Sequence, residues 1–130
     1  VAVLIDSSVW IELGRAKSSI VKHRFLKLLK SDEEICVATV IQVELAQGAK
    51  TKEEFDFIWE HIKGFRFLDV NEQIWRTSAW NYARCRRQGI TSSTIDILVA
   101  TLSSHYNAKL WTLDKTLRSV KRVVDLELFA

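Results

Sequence analysis

The sequence predicts an α/β fold, a three-layer α/β/α sandwich around a mostly parallel central sheet, in one domain covering residues 1–130. Three observations carry that expectation. Apolar, β-branched runs of strand length occur at residues 1–5, 35–38, 65–70 and 109–113. The stretches between them repeat their apolar residues at helical spacing, which sets the order β-α-β-α-β-α-β. Parallel strands joined by right-handed crossovers carry their helices on the sheet faces, and 130 residues at 48% hydrophobic content suit one such core.

The elements follow in order. Residues 1–5 have no basic flank and run straight into Asp6, so they read as a first strand and not as a secretory leader. A short helix with Trp10 and Ile11 comes next, closed by Gly14, and a second helix carries the basic run Lys17, Lys22, Arg24, Lys27 and Lys30. After the second strand, Thr39 is expected to cap a helix in which Glu44 is embedded among Val40, Ile41, Val43, Leu45 and Ala46. Thr51 with Glu54, and Ser93 with Asp96, have capping-box spacing and mark two further helix starts. In the second of these helices Ile95, Leu98, Val99, Leu102 and Tyr106 fall on one face, which should pack on the sheet. Gly48, Gly64 and Gly89 stand where left-handed C-cap residues are wanted.

Composition narrows the function. No apolar stretch approaches the roughly 20 residues of a membrane-spanning helix. Cys36 and Cys85 lack the spacing of a disulfide framework or a zinc site, which fits a reducing, cytoplasmic setting. A net charge of +3 permits a polyanionic partner without demanding one. His23, His61 and His105 lack mutual metal-ligand spacing and receive no catalytic role.

In a parallel α/β sheet the ligand site lies beyond the carboxyl ends of the strands. Asp6 follows the first strand and Asp114 the last, while Glu44 and Asp96 open helices that should reach the same edge. Each has a plain structural reading: helix cap for Asp6, turn residue for Asp114, solvent-facing helix position for Glu44, capping-box acid for Asp96. Together they are harder to explain that way, because crowded carboxylates repel one another unless a cation compensates. Oxygen-only donors suit Mg²⁺ or Mn²⁺, and such sites support hydrolysis at phosphorus.

The segments Val3-Leu-Ile-Asp6-Ser7-Ser8-Val-Trp10, Thr39-Val-Ile-Gln-Val-Glu44-Leu45, Asp96-Ile-Leu-Val-Ala100-Thr101 and Leu110-Trp-Thr112-Leu-Asp114-Lys115 resemble the four signature segments of PIN-domain ribonucleases. Their order and the chain's size most resemble the VapC-type toxins of prokaryotic toxin–antitoxin pairs. The resemblance implies a metal-dependent endoribonuclease in which Asp6, Asp96 and Asp114 hold Mg²⁺ or Mn²⁺ and Glu44 orients a water or a second ion. It also implies a hydroxyl role for Thr112 near the metal, with Ser7 as a second polar support, and homodimers inhibited by a small antitoxin. The chain departs from the pattern at Leu117, where members often carry an aromatic residue, and at Thr94 and Ile97, where some carry a further acid. The resemblance therefore carries four acids and not five.

An acidic pocket needs cations beside it before RNA can approach. Candidates are the run from Lys17 to Lys30, Arg84, Arg86 and Arg87 before Gly89, and Lys115 and Arg118 beside Asp114. Trp111 is expected in the core and Trp10 near a partner surface. Two other readings stand against the nuclease. A phosphotransfer domain would want acids where Ser7 and Ser8 stand, and a catalytically silent protein-binding module would have no use for all four acids.

Overall fold

The computed structural model describes residues 1–15 and 19–130, and the expectation for Lys17 lies outside them. Four strands, β1 (Ala2–Ile5), β2 (Glu34–Val37), β3 (Arg66–Phe67) and β4 (Lys109–Trp111), form one sheet in the order β3-β2-β1-β4. Every pairing is parallel: Leu4 stands opposite Cys36 on one side and Leu110 on the other, and Val37 opposite Phe67. The helices are α1 (Ser7–Leu13), α2 (Ile20–Leu29), α3 (Thr39–Ala46), α4 (Lys52–His61), α5 (Glu72–Arg87), α6 (Thr94–His105) and α7 (Lys115–Ser119).

Strand alternation splits the core between the sheet faces. Val3, Ile5, Ile35 and Trp111 pack with Val9 and Leu28 under α1 and α2. Leu4, Cys36 and Leu110 join Ile74, Leu98, Leu102 and Leu117 under α5, α6 and α7. Helices on both faces make the expected three layers. Val3, Leu4 and Ile5 are wholly buried, each contributing about 2 kcal/mol of apolar transfer.

The side of α6 expected to face the sheet is only part of what it buries, for every residue from Ile97 to Ser103 is enclosed. α5 covers its other side, and the polar residues are satisfied there. Thr101 donates to the Ile97 carbonyl and accepts from Asn81 Nδ2. Arg84, a candidate for RNA contact, is used in the same layer: it donates to Asn81 Oδ1 and to the Val123 carbonyl. Arg24 is likewise no part of a solvated face, since its guanidinium lies 4.9 Å from the ring centroids of both Trp111 and Phe129. That stack pins the C-terminal segment, whose residue 127 carbonyl and Phe129 amide bond both backbone groups of Leu110.

Four expectations change. The third strand, expected over 65–70, is only two residues long, although the Leu68 amide still reaches the Val37 carbonyl. Thr39 is not a cap but the first residue of α3; extended Ala38 holds the cap position without a side-chain bond. Gly48 and Gly64 are not left-handed: positive φ occurs only at Gly89 (73°) and Asn107 (53°) among the described residues. The predicted capping serine and threonine do act, with Thr51 accepting from the Glu54 amide and Ser93 from the Asp96 amide. No described helix is long and apolar enough to cross a membrane.

A Cβ at Gly89 or Gly64 would meet nothing within 4 Å, so only backbone strain separates the two sites. Gly89→Ala is expected to destabilise by about 1 kcal/mol, while Gly64→Ala is neutral or stabilising by up to about 1 kcal/mol. Urea unfolding of the two variants checks this; equal effects would contradict it.

Candidate active site

β1 is the inner strand next to β4, so the chain leaving each passes the same point of the sheet's carboxyl edge. There the Asp6 amide donates to the Trp111 carbonyl at 2.9 Å. Asp6 is at the cap position of α1, yet its side chain makes no cap bond. Its Oδ2 instead accepts from Ser8 Oγ at 2.7 Å and Thr112 Oγ1 at 2.9 Å, and the residue is only 3% exposed. The plain reading of Asp6 as a helix cap is thus set aside by its hydrogen bonds.

Asp114 keeps its turn role on one oxygen, Oδ1 accepting from the amides of Thr116 and Leu117 at the start of α7. Its own amide donates to Thr112 Oγ1 at 3.0 Å. Thr112 therefore sits between the two aspartates as donor to one and acceptor from the backbone of the other. Asp96 stands in the first turn of α6, half-buried.

Glu44 projects from α3 into a groove of about 610 Å³ that Trp10, Ile11, Leu45, Phe57 and Ile58 also line. Its Oε1 is buried with no hydrogen-bond partner. Burial pushes the Glu44 carboxyl above the usual range; the Ser7 hydroxyl draws it partly back, and the charges of Asp6 and Asp96 raise it further. Asp96 is also raised, first by burial, then against the opposing pull of Ser93, by the charges of Asp114 and Asp6. The fields of all four acids thus overlap. Among the described residues, however, no three acidic, histidine or cysteine side chains are close enough to hold an ion as they stand.

Ser7, expected as a second polar support of the site, stands close enough to Glu44 to draw its carboxyl down, and the hydroxyl on Asp6 is that of Ser8. Choosing between adjacent serines needs the β1–β4 register, which no local pattern carries. Trp10 is half-buried, donating Nε1 to the Ile5 carbonyl and packing on Phe25 and Phe65. Lys115 and Arg118 are exposed, and Arg118 also donates to the Thr112 carbonyl. Cys36 and Cys85 are free, buried thiols that burial pushes up, which leaves little thiolate for nucleophilic chemistry at neutral pH.

Fold and site together define a class: a parallel α/β/α domain with acidic side chains along the carboxyl edge of its sheet. The family model of the PIN domain matches residues 3–123, and the chain belongs to that family. Curated relatives include VapC ribonuclease Mb1587 of Mycobacterium bovis and ribonuclease VapC11 of Mycobacterium tuberculosis, each 29% identical over 128 residues and matched across 96% of both chains. The fold is shared with VapBC2 from Rickettsia felis, solved bound to a promoter DNA fragment, at TM-score 0.81, 16% identity and coverage of 99% and 98%. It is shared too with VapBC-1 from nontypeable Haemophilus influenzae, at TM-score 0.80, 20% identity and coverage of 99% and 97%.

Because Glu44 titrates higher in the folded chain than in the unfolded one, its ionised form weakens the fold. That penalty is absent where both states are protonated and complete above the raised folded value. Metal-free Glu44→Gln is therefore expected to be more stable than wild type at about pH 8, the gain shrinking as pH falls toward the ordinary carboxylate range. Urea unfolding in chelator across pH measures it, and a gain that grows on acidification would refute it.

Proposed function

We propose that this chain is a metal-dependent endoribonuclease that hydrolyses RNA phosphodiester bonds, and that it is the toxin of a type II toxin–antitoxin pair. The observation that carries the reading is the gathering of Asp6, Glu44, Asp96 and Asp114 at one sheet edge of a PIN domain, where Glu44 and Asp96 are raised first by burial and further by the neighbouring acids. Curated relatives that match nearly the whole chain are named ribonucleases, which supports the same substrate class.

Asp6, Asp96 and Asp114 would hold Mg²⁺ or Mn²⁺, with Glu44 beside them. The donors are all oxygen, and the orphaned Glu44 Oε1 is what a hard cation or its hydration shell would satisfy. When bound, the ion supplies Lewis-acid polarisation of the phosphodiester and lowers the pKa of an attacking water. Glu44, whose Oε1 has no partner, would orient a water or a second ion there. Thr112 fixes the Asp6 carboxylate, and exposed Lys115 and Arg118 offer cations to the backbone beside Asp114.

An antitoxin partner fits the groove that Glu44 lines, where Ile11 and Phe57 are 52% and 62% exposed; solved VapBC structures share this fold. The homodimer reading rests on the family resemblance, and α5 exposes two large apolar side chains, Trp75 and Trp80, that such an interface would cover. A cytoplasmic setting agrees with an RNA substrate and with two free, buried thiols.

The test is cleavage of a mixed RNA pool by the purified chain, freed of antitoxin, in Mg²⁺ or Mn²⁺. Asp6→Asn and Asp96→Asn are each expected to lose at least ~100-fold in rate, as does wild type in chelator. Wild-type rates in both variants would overturn the site assignment; neither cleavage nor metal binding by wild type would favour the silent binding module.

A further inference from the structure

We infer that Ser8 is a positioning residue: its hydroxyl, together with that of Thr112, saturates Asp6 Oδ2, leaves Oδ1 as the one oxygen of Asp6 free for a further ligand, and ties Asp6 to the backbone that carries Asp114. The inference rests on the nuclease reading and adds to it a residue outside the acid set.

The argument is a count of protons. Ser8 Oγ accepts from the Leu113 amide at 3.0 Å, so its single proton goes to Asp6 Oδ2 at 2.7 Å. Thr112 Oγ1 accepts from the Asp114 amide at 3.0 Å, so its proton goes to the same oxygen at 2.9 Å. The two hydroxyls lie 3.4 Å apart, but neither has a proton left for the other, and that approach is only a contact. A carboxylate oxygen offers two good acceptor directions, and on Oδ2 both are filled. Among the described residues nothing donates to Oδ1.

Position strengthens the case. A serine in the first turn of a helix ordinarily bonds within its own helix or faces water. Ser8 instead reaches across 105 positions of sequence to the Leu113 amide, on the segment that turns from β4 into α7. Thr112 spans a similar distance to Asp6, so two hydroxyls from opposite sides form a bracket that sets the separation of two acids. A ligand at Asp6 is then held through Oδ1 in one orientation.

The experiment compares Ser8→Ala and Ser8→Thr with wild type by Mn²⁺ calorimetry, RNA cleavage kinetics and amide exchange of the metal-free protein. Ser8→Ala is expected to weaken Mn²⁺ binding about 10-fold, to lower kcat with KM for RNA unchanged, and to speed exchange of the Leu113 amide; Ser8→Thr restores all three. If Ser8→Ala fails to fold, Ser8→Cys keeps the volume with a weaker hydrogen bond and carries the same expectation. Unchanged Mn²⁺ affinity in the alanine variant overturns the proposal, as does a threonine variant equally impaired. Failure of wild type itself to bind Mn²⁺ or cleave RNA overturns the nuclease reading and this role with it, and is told apart because it appears before any substitution.

Discussion

β1 and β4 lie side by side, and the Asp6 amide extends their ladder by one bond to the Trp111 carbonyl. That pairing brings the chain's beginning against a segment more than 100 positions later. The rest of the site hangs on it. With β1 inside the sheet, the turns leaving both strands meet at one edge, and short side chains such as Ser8 and Thr112 can span the gap. A slip of the pairing by one residue would turn Trp111 out of the α1–α2 layer and Leu110 out of the α6 layer. The apolar alternation of β4 thus guards the register that the acids need.

The acidic edge opposes the stability of the fold that makes it. Half-burying Glu44 and Asp96 near two other carboxylates raises both, and the orphaned Glu44 Oε1 adds a desolvated acceptor. The surrounding structure compensates with hydrogen bonds at two of the acids, the Ser8 and Thr112 hydroxyls on Asp6 and the amides of Thr116 and Leu117 on Asp114, while the nearby Ser7 and Ser93 pull against the rise at Glu44 and Asp96. Asp6 and Asp114 are pinned by donors from their own or a neighbouring segment, and Glu44 Oε1 is left without one. The strain is kept local, where a cation can relieve it.

Much of this was legible in the sequence wherever the signal is local and periodic. Strand-length apolar runs located all four strands, and the helix starts at Thr51 and Ser93 follow from hydroxyl-to-amide bonds three residues apart. The expectation failed where a tertiary partner decides. Residues 65–70 have strand composition, but only Arg66 and Phe67 pair as strand, with the Leu68 amide adding one last bond to β2, because β3 lies at the edge beyond β2. Arg24 and Arg84 read as surface cations until their partners are seen: two aromatic rings in one case, Asn81 and a carbonyl in the other. The acids were visible as strand-end and helix-start residues, yet that Ser8 is the serine holding Asp6 depends on the facing of α1.

The C-terminal segment has a consequence for solubility. β4 would otherwise be an open edge, with a row of unpaired amides and carbonyls able to template a strand from another molecule. Leu128 bridges to Leu110 in parallel, and the Arg24 stack on Phe129 keeps that cover in place. At the opposite edge β3 is too short to serve as a template. With one margin capped and the other clipped, the sheet resists edge-to-edge aggregation while its acidic end stays open.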